Sequence, residues 1–164
     1  MTVRDIRRFG DPVLRTVCDP VGEPTAATAA LVADLIDTVQ VPGRAGVAAN
    51  QIGATVRAFA YNVDGRIGYL LDPELVEVRG EPVTFDEGCL SVPDLSFPTK
   101  RHPWARSVGR LLDGSTVEVV GEGILAEALQ HEQDHLDGLL YLSRLEPAVR
   151  KEAMAEVRKA PWLR

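Results

Sequence analysis

Cysteine is scarce in this chain: Cys18 and Cys89 are the only two in 164 residues. Two thiols cannot staple a small fold, which excludes a disulfide framework and makes a reducing cytoplasm the expected compartment. No apolar run is long enough to span a bilayer. The opening MTVRDIRRFGDP has neither an apolar stretch nor a small-residue cleavage site, so no membrane association is expected. Positive charge is not in surplus either. A formal net charge of −6 argues against DNA as a partner and against general nucleic-acid binding. Repeats, low-complexity tracts and linkers are also missing. What remains is a composition, 45% hydrophobic and 26% charged, that suits one compact domain over residues 1–164.

The hydrophobic pattern divides the chain into an α+β order. Asp11-Pro12 and Asp19-Pro20 punctuate the start, which reads as an extended arm with one brief helical turn. Over residues 25–39, Leu31, Leu35, Ile36 and Val39 recur at helical spacing, which predicts a first long helix ended by Pro42 and Gly43. The runs TVRAFAYNV, IGYLL and ELVEV read as strands, with turns at Asp64-Gly65 and Asp72-Pro73. The proline-containing SVPDLSFPTKRHPW reads as a loop, and Asp113-Gly114 as the turn of a second hairpin. Strands in succession without helices between them predict short antiparallel sheets. From Gly123 to Leu136 the period returns to that of a helix, with Gly138 as its C-terminal glycine. A last helix is expected from Pro147 to Ala160.

The chemistry concentrates on the second helix, in HEQDHLDG. His131 and His135 are four apart, a spacing that aims both rings off one helix face toward a single cation. The bland reading would bury two imidazoles beside an apolar stripe without partners, and a cation removes that cost. Glu132 follows the first ring and so would reach a bound water rather than the ion, taking its proton and later passing it on. His102, beside Pro103, reads as an ordinary hydrogen-bonded histidine, and Cys18 as a small buried hydrophobe.

A catalytic centre needs a third protein ligand and one open position. Glu152 or Glu156 would make it a zinc peptidase of the H-E-x-x-H type, although both fall in a charge-rich helix whose plain reading is a solvated face. Cys89, after Gly88 in DEGCLSVP and at the end of a strand, is the other option. A further segment, GRAGVAANQIG, packs small residues before Gln51, whose amide N–H can donate to an oxyanion.

Taken together, Arg44 to Gln51 (RAGVAANQ), Glu87 to Ser91 (EGCLS) and His131 to His135 (HEQDH) resemble, in this order, the three motifs of the peptide deformylase family. The opening IRRFGDPVLRTV and the length are similar as well, so the resemblance covers nearly the whole chain. It implies a fold of antiparallel sheets packed around a buried H-E-x-x-H helix, with an N-terminal and a C-terminal helix. It implies one divalent ion on Cys89, His131 and His135, natively Fe(II), with Zn(II) or Ni(II) able to occupy the site. The implied reaction removes the N-formyl group from the initiating methionine of newly made polypeptides and releases formate. Glu132 would handle protons, and Gln51 with the Leu90 N–H would hold the oxyanion. Gly46 and the backbone near Val47 would contact an extended peptide, with Gly88 letting the opposite wall approach. A deformylase-like enzyme with another formylated substrate is the alternative reading.

Two residues depart from the family's pattern. Arg44 stands where the first motif has glycine, and Glu127 stands one turn before His131, where an apolar pocket is expected. Both are expected to tune the mouth of the substrate pocket, as a pair if they meet. Finally, Lys/Arg at 144, 150, 151, 158, 159 and 164 outnumber Glu146, Glu152 and Glu156 near the C-terminus. This suggests ribosome contact through the last helix, against the plainer reading of a solvated amphipathic face.

Overall fold

The computed structural model describes residues 2–163, so Arg164 of the basic C-terminal group lies outside the described residues. Helix α1 spans Ala26–Val39. It starts where Thr25 and Thr28 cap each other: the Thr28 N–H donates to Thr25 Oγ1 at 3.3 Å, and the Thr25 N–H donates to Thr28 Oγ1 at 3.0 Å. Its stripe of Val32, Leu35 and Val39 is buried, and each such side chain contributes about 1.5–3 kcal/mol.

A five-stranded antiparallel sheet follows. Its strands are β1 (Gly46–Ala48), β2 (Ala58–Val63), β3 (Arg66–Arg79), β6 (Trp104–Arg110) and β7 (Thr116–Glu122), adjacent in that order. β4 (Val83–Cys89) and β5 (Val92–Arg101) pair separately as a two-stranded sheet. Alternation along the strands splits the core in two. Val47, Ala58, Ala60 and Leu71 pack with α1, whereas Ala48, Phe59 and Leu70 pack with helix α2 (Ile124–Leu136). Gly121 makes α2's approach feasible, since a Cβ there would sit 2.6 Å from Leu125 Cγ. Helix α3 (Pro147–Lys159) buries Ala153 and Val157 in a third cluster with Tyr141, Val92 and Cys89.

The Asp64-Gly65 turn behaves as its sequence requires, both residues taking positive φ (51° and 77°) between Val63 and Arg66, which pair. Two expectations need correction. Asp72-Pro73 is not a turn: β3 runs through it, with a shift of register against β6 between Leu71 and Glu74. Proline removes one ladder donor, and Asp72 absorbs the irregularity at φ 46°, its carboxylate accepting from the Val21 N–H and pairing with Arg110. Nor is SVPDLSFPTKRHPW a loop, because β5 occupies most of it. Each strand of a two-stranded sheet has one edge outside the ladder, so Pro93 and Pro98 need not break a bond.

Candidate active site

The candidate site lies where α2 faces the end of β4. His131 and His135 project from α2 with their Nε2 atoms 3.1 Å apart, and Cys89 Sγ lies 3.3 Å from His135 Nε2. The three donor atoms all fall within 4.8 Å of one another. A register shift between Gly88 and Cys89 at the end of β4 accompanies the approach of the sulfur to the rings.

Behind the rings runs a chain of buried charges. His131 Nδ1 lies 2.6 Å from Glu87 Oε1, and Arg101 grips the same carboxylate through two N–H donors at 2.7 and 2.8 Å. Arg101 also donates to Asp134 at 2.8 Å, and Arg144 donates to Asp134 at 2.7 Å. Burial opposes the charge on Glu87, yet Arg101 and His131 overcome it and bring its pKa down to about 2. An ionised Glu87 accepts a hydrogen bond from His131 Nδ1–H, which leaves the Nε2 lone pair of His131 aimed at the cluster. Two imidazole nitrogens and a sulfur facing one another cannot all satisfy each other by hydrogen bonding. A four-coordinate first-row ion would space such atoms by roughly 3.3–3.6 Å, within a few tenths of the two separations at His135, with the third pair inside 4.8 Å. The donor set fits a metal ion.

Gln51 follows β1 on a single 3₁₀ turn (Ala49–Ile52). Its Oε1 accepts from the Ala48 N–H at 2.9 Å, which obliges the amide to turn its NH₂ toward the cluster. There Nε2 donates to Ser91 Oγ at 3.1 Å and lies 3.7 Å from Cys89 Sγ. The N-terminal arm braces both segments: the Arg7 N–H donates to Gln51 O and the Phe9 N–H to Ser91 O, each at 2.7 Å. Asn50 ties the same turn to α2 through His135 O at 2.6 Å.

Glu132 is 2% exposed, and its Oε2 has no hydrogen-bond partner among the described residues. Burial pushes its pKa up to about 7. Gly46 makes room for it. A Cβ at that position would come 2.7 Å from Glu132 Cδ and closer still to Oε1.

A cavity of about 570 Å³ opens in front, lined by Gln51, Gly88, Cys89, Leu90, His131 and Glu132 among others, and Gly46, Arg44 and Glu127 belong to the same lining. Val47 is not part of this lining; its side chain is buried against α1, so only its backbone is near. A Cβ at Gly88 would meet ordinary contacts of 3.5 Å and beyond, so close approach is not what the position requires in this structure. Arg44 does not pair with Glu127. Its guanidinium donates to Thr38 O at 2.9 Å instead. Glu152 and Glu156 are exposed on α3, Glu156 bonding Lys159, and neither joins the cluster. His102 is hydrogen-bonded to Gly80 O, as an ordinary histidine would be. Sequence reasoning assigned no role to Glu87, Arg101, Asp134 or Ser91, and counted Arg144 only in the basic C-terminal group, whereas it binds Asp134. Glu87, Ser91 and Asp134 lie inside the recognised motifs and could have been weighed there, whereas nothing local marks the two arginines.

A helix-borne H-E-x-x-H with a thiol as third donor, on an α+β scaffold and open to a cavity, is the arrangement of a metal-dependent hydrolase rather than a closed structural site. Residues 3–151 match the family model of polypeptide deformylase. The chain is 47% identical over 162 residues to a peptide deformylase of Acidothermus cellulolyticus, covering 99% of this chain and 89% of that one. To peptide deformylase 1 of Corynebacterium efficiens it is 43% identical, covering 99% and 98%. Among solved structures, a peptide deformylase from Legionella pneumophila superposes with a TM-score of 0.88 at 33% identity, covering 96% of this chain and 94% of that one. The chain belongs to the polypeptide deformylase family, whose members are hydrolases that deformylate nascent polypeptides.

Proposed function

We propose that this chain, acting as one catalytic domain over residues 1–164, removes the formyl group from the N-terminal methionine of newly made polypeptides and releases formate. Cys89, His131 and His135 would hold one divalent ion, natively Fe(II), with Zn(II) or Ni(II) as substitutes. Two imidazoles and one thiolate suit each of these ions. When bound, the ion polarises the formyl carbonyl and activates water.

The rest is the work of the chain's own groups. Glu132, beside the cluster and near pKa 7 through burial, takes a proton from the attacking water and returns it to the departing amine. The Gln51 amide, turned by the Ala48 N–H, donates to the oxygen that gains charge, together with the Leu90 N–H. β1 is an edge strand of its sheet, and its backbone beside Gly46 can receive an extended peptide in strand-like fashion.

The observation that carries this reading is the convergence of Cys89, His131, Glu132 and Gln51 on one cavity. Protein prepared anaerobically with Fe(II) should release formate from formyl-Met-Ala. Glu132→Ala should not, while keeping its metal. Metal analysis of the native protein tests the assignment of iron.

The reading extends to the ribosome as the place where such substrates emerge. Arg150, Lys151 and Arg158 are exposed on α3, while Lys159 is engaged by Glu156. Because Ala153 and Val157 belong to the core, reversing Arg150, Lys151 and Arg158 to Glu is a cleaner test than deleting the helix. Unchanged co-sedimentation with ribosomes would remove this extension.

A further inference from the structure

The cavity in front of the cluster contains a carboxylate that no described residue hydrogen-bonds or pairs with. Glu127 is half-buried on α2, one helical turn before His131, and lines the cavity with Ile124 and Ala128. Its backbone N–H is bonded to Gly123 O at 3.0 Å, but among the described residues its carboxylate accepts no hydrogen bond and joins no ion pair. Arg44 also lines the cavity, but its guanidinium donates to the Thr38 carbonyl. Glu87 and Asp86 of β4 repel it, His131 and Arg101 attract it without bonding it, and Asp94 adds a further acidic group to the lining. A half-buried acceptor without a donor is costly to the folded protein. Such a group, set in a cavity lining, is suited to a donor that arrives with the substrate.

Helix geometry says which part of the substrate that is. Four residues of α-helix rise about 6 Å, so Glu127 stands about that far from His131 along α2. With a formyl carbon held at the cluster, an unbranched side chain on the first residue spans a similar length. Its stem would lie along Ile124 and Ala128, and its tip would reach the carboxylate.

We propose that Glu127 is a specificity-determining residue: its carboxylate receives a hydrogen-bond donor, foremost an ammonium, at the tip of the substrate's first side chain. This deepens the deformylase reading and rests on it. The substrate class is widened from formylated peptides with an apolar first residue to those beginning with a basic side chain of lysine length. Norleucine is the matched control, since it shares the stem and lacks the donor.

The test measures kcat/KM for formate release from formyl-Lys-Ala and formyl-Nle-Ala with wild type, Glu127→Gln and Glu127→Leu. Both peptides are assayed on one preparation, so their ratio does not depend on how much metal that preparation holds. Glu127→Leu should lower the Lys/Nle ratio at least about tenfold, through a loss on Lys and a gain on Nle. Glu127→Gln, which keeps the shape and loses the charge, should fall between. A ratio unchanged in Glu127→Leu, with formate released from both peptides, overturns this inference alone. So does a ratio in Glu127→Gln no lower than wild type. If wild type releases no formate from these peptides or from formyl-Met-Ala, the deformylase reading has failed and the inference goes with it.

Discussion

The two sides of the histidine pair obey opposite electrostatic rules. Behind the rings, Glu87, Arg101, Asp134 and Arg144 form a continuous chain in which every charge has a partner within 2.8 Å. In front, Glu132 and Glu127 are carboxylates without hydrogen bonds among the described residues, and both are pushed up to about pKa 7, first by burial. The rear therefore fixes ring orientation and has nothing left to give. The front holds groups whose protonation can change near neutrality and whose donors must come from water or substrate. Rigidity behind and unmet capacity in front are what a centre needs if it is to hold an ion still while protons move beside it.

This contrast can be broken from either side. The largest effect is expected from Glu132→Gln, which should lower kcat for formate release by about 10²–10⁴-fold with bound metal unchanged by elemental analysis. On the rear side, Arg101→Met leaves Glu87 and Asp134 buried with lost partners, and should destabilise the fold by about 3–5 kcal/mol in urea unfolding. Gly46→Ala sharpens the front: the added methyl displaces the Glu132 carboxylate, and a shift of about 1 Å costs on the order of 10²-fold in kcat, again with metal retained. Glu87→Gln removes the charged acceptor behind His131 and should weaken metal affinity by about 10–100-fold in a competitive chelator titration.

The smallest effect is a pH dependence. Glu127 faces Glu87 and Asp86 of β4, His131 of α2 and Arg101 of β5, and its pKa is raised to about 7. A raised carboxylate pKa means the charged acceptor is present above about pH 7 and lost below it, whereas a lysine substrate stays protonated throughout. The Lys/Nle ratio should thus climb several-fold from pH 6 to 8 in wild type and stay flat in Glu127→Leu. Glu132 titrates in the same range but serves both peptides alike, so it cancels from the ratio.

Much of this was legible before any coordinates. α1, α2 and α3 lie where helical periodicity, Gly138 and Pro147 predicted them, because stripes and terminal residues are local signals. The Asp64-Gly65 and Asp113-Gly114 hairpins followed from turn chemistry. β5 and the long β3 were misread because proline was taken as a break. Whether it breaks a strand depends on the edge and bulge it occupies, which is a property of the sheet. Within the site, Cys89, His131, Glu132 and Gln51 were found through motif and donor chemistry. Arg101 and Arg144 were not, since an arginine reveals its role only through the carboxylate it reaches, and Asp134 lies 33 and 10 residues away from them.

Side-chain types and their spacing determined the donor set, the class of chemistry and the helices that carry it, since these depend on periods of a few residues. Tertiary structure alone decided that Arg44 turns to Thr38 rather than to Glu127, that Gly46 is kept small by a carboxylate, and that each buried charge behind the rings is matched. Those outcomes depend on which distant segments come within a few ångströms of one another, and packing sets that distance.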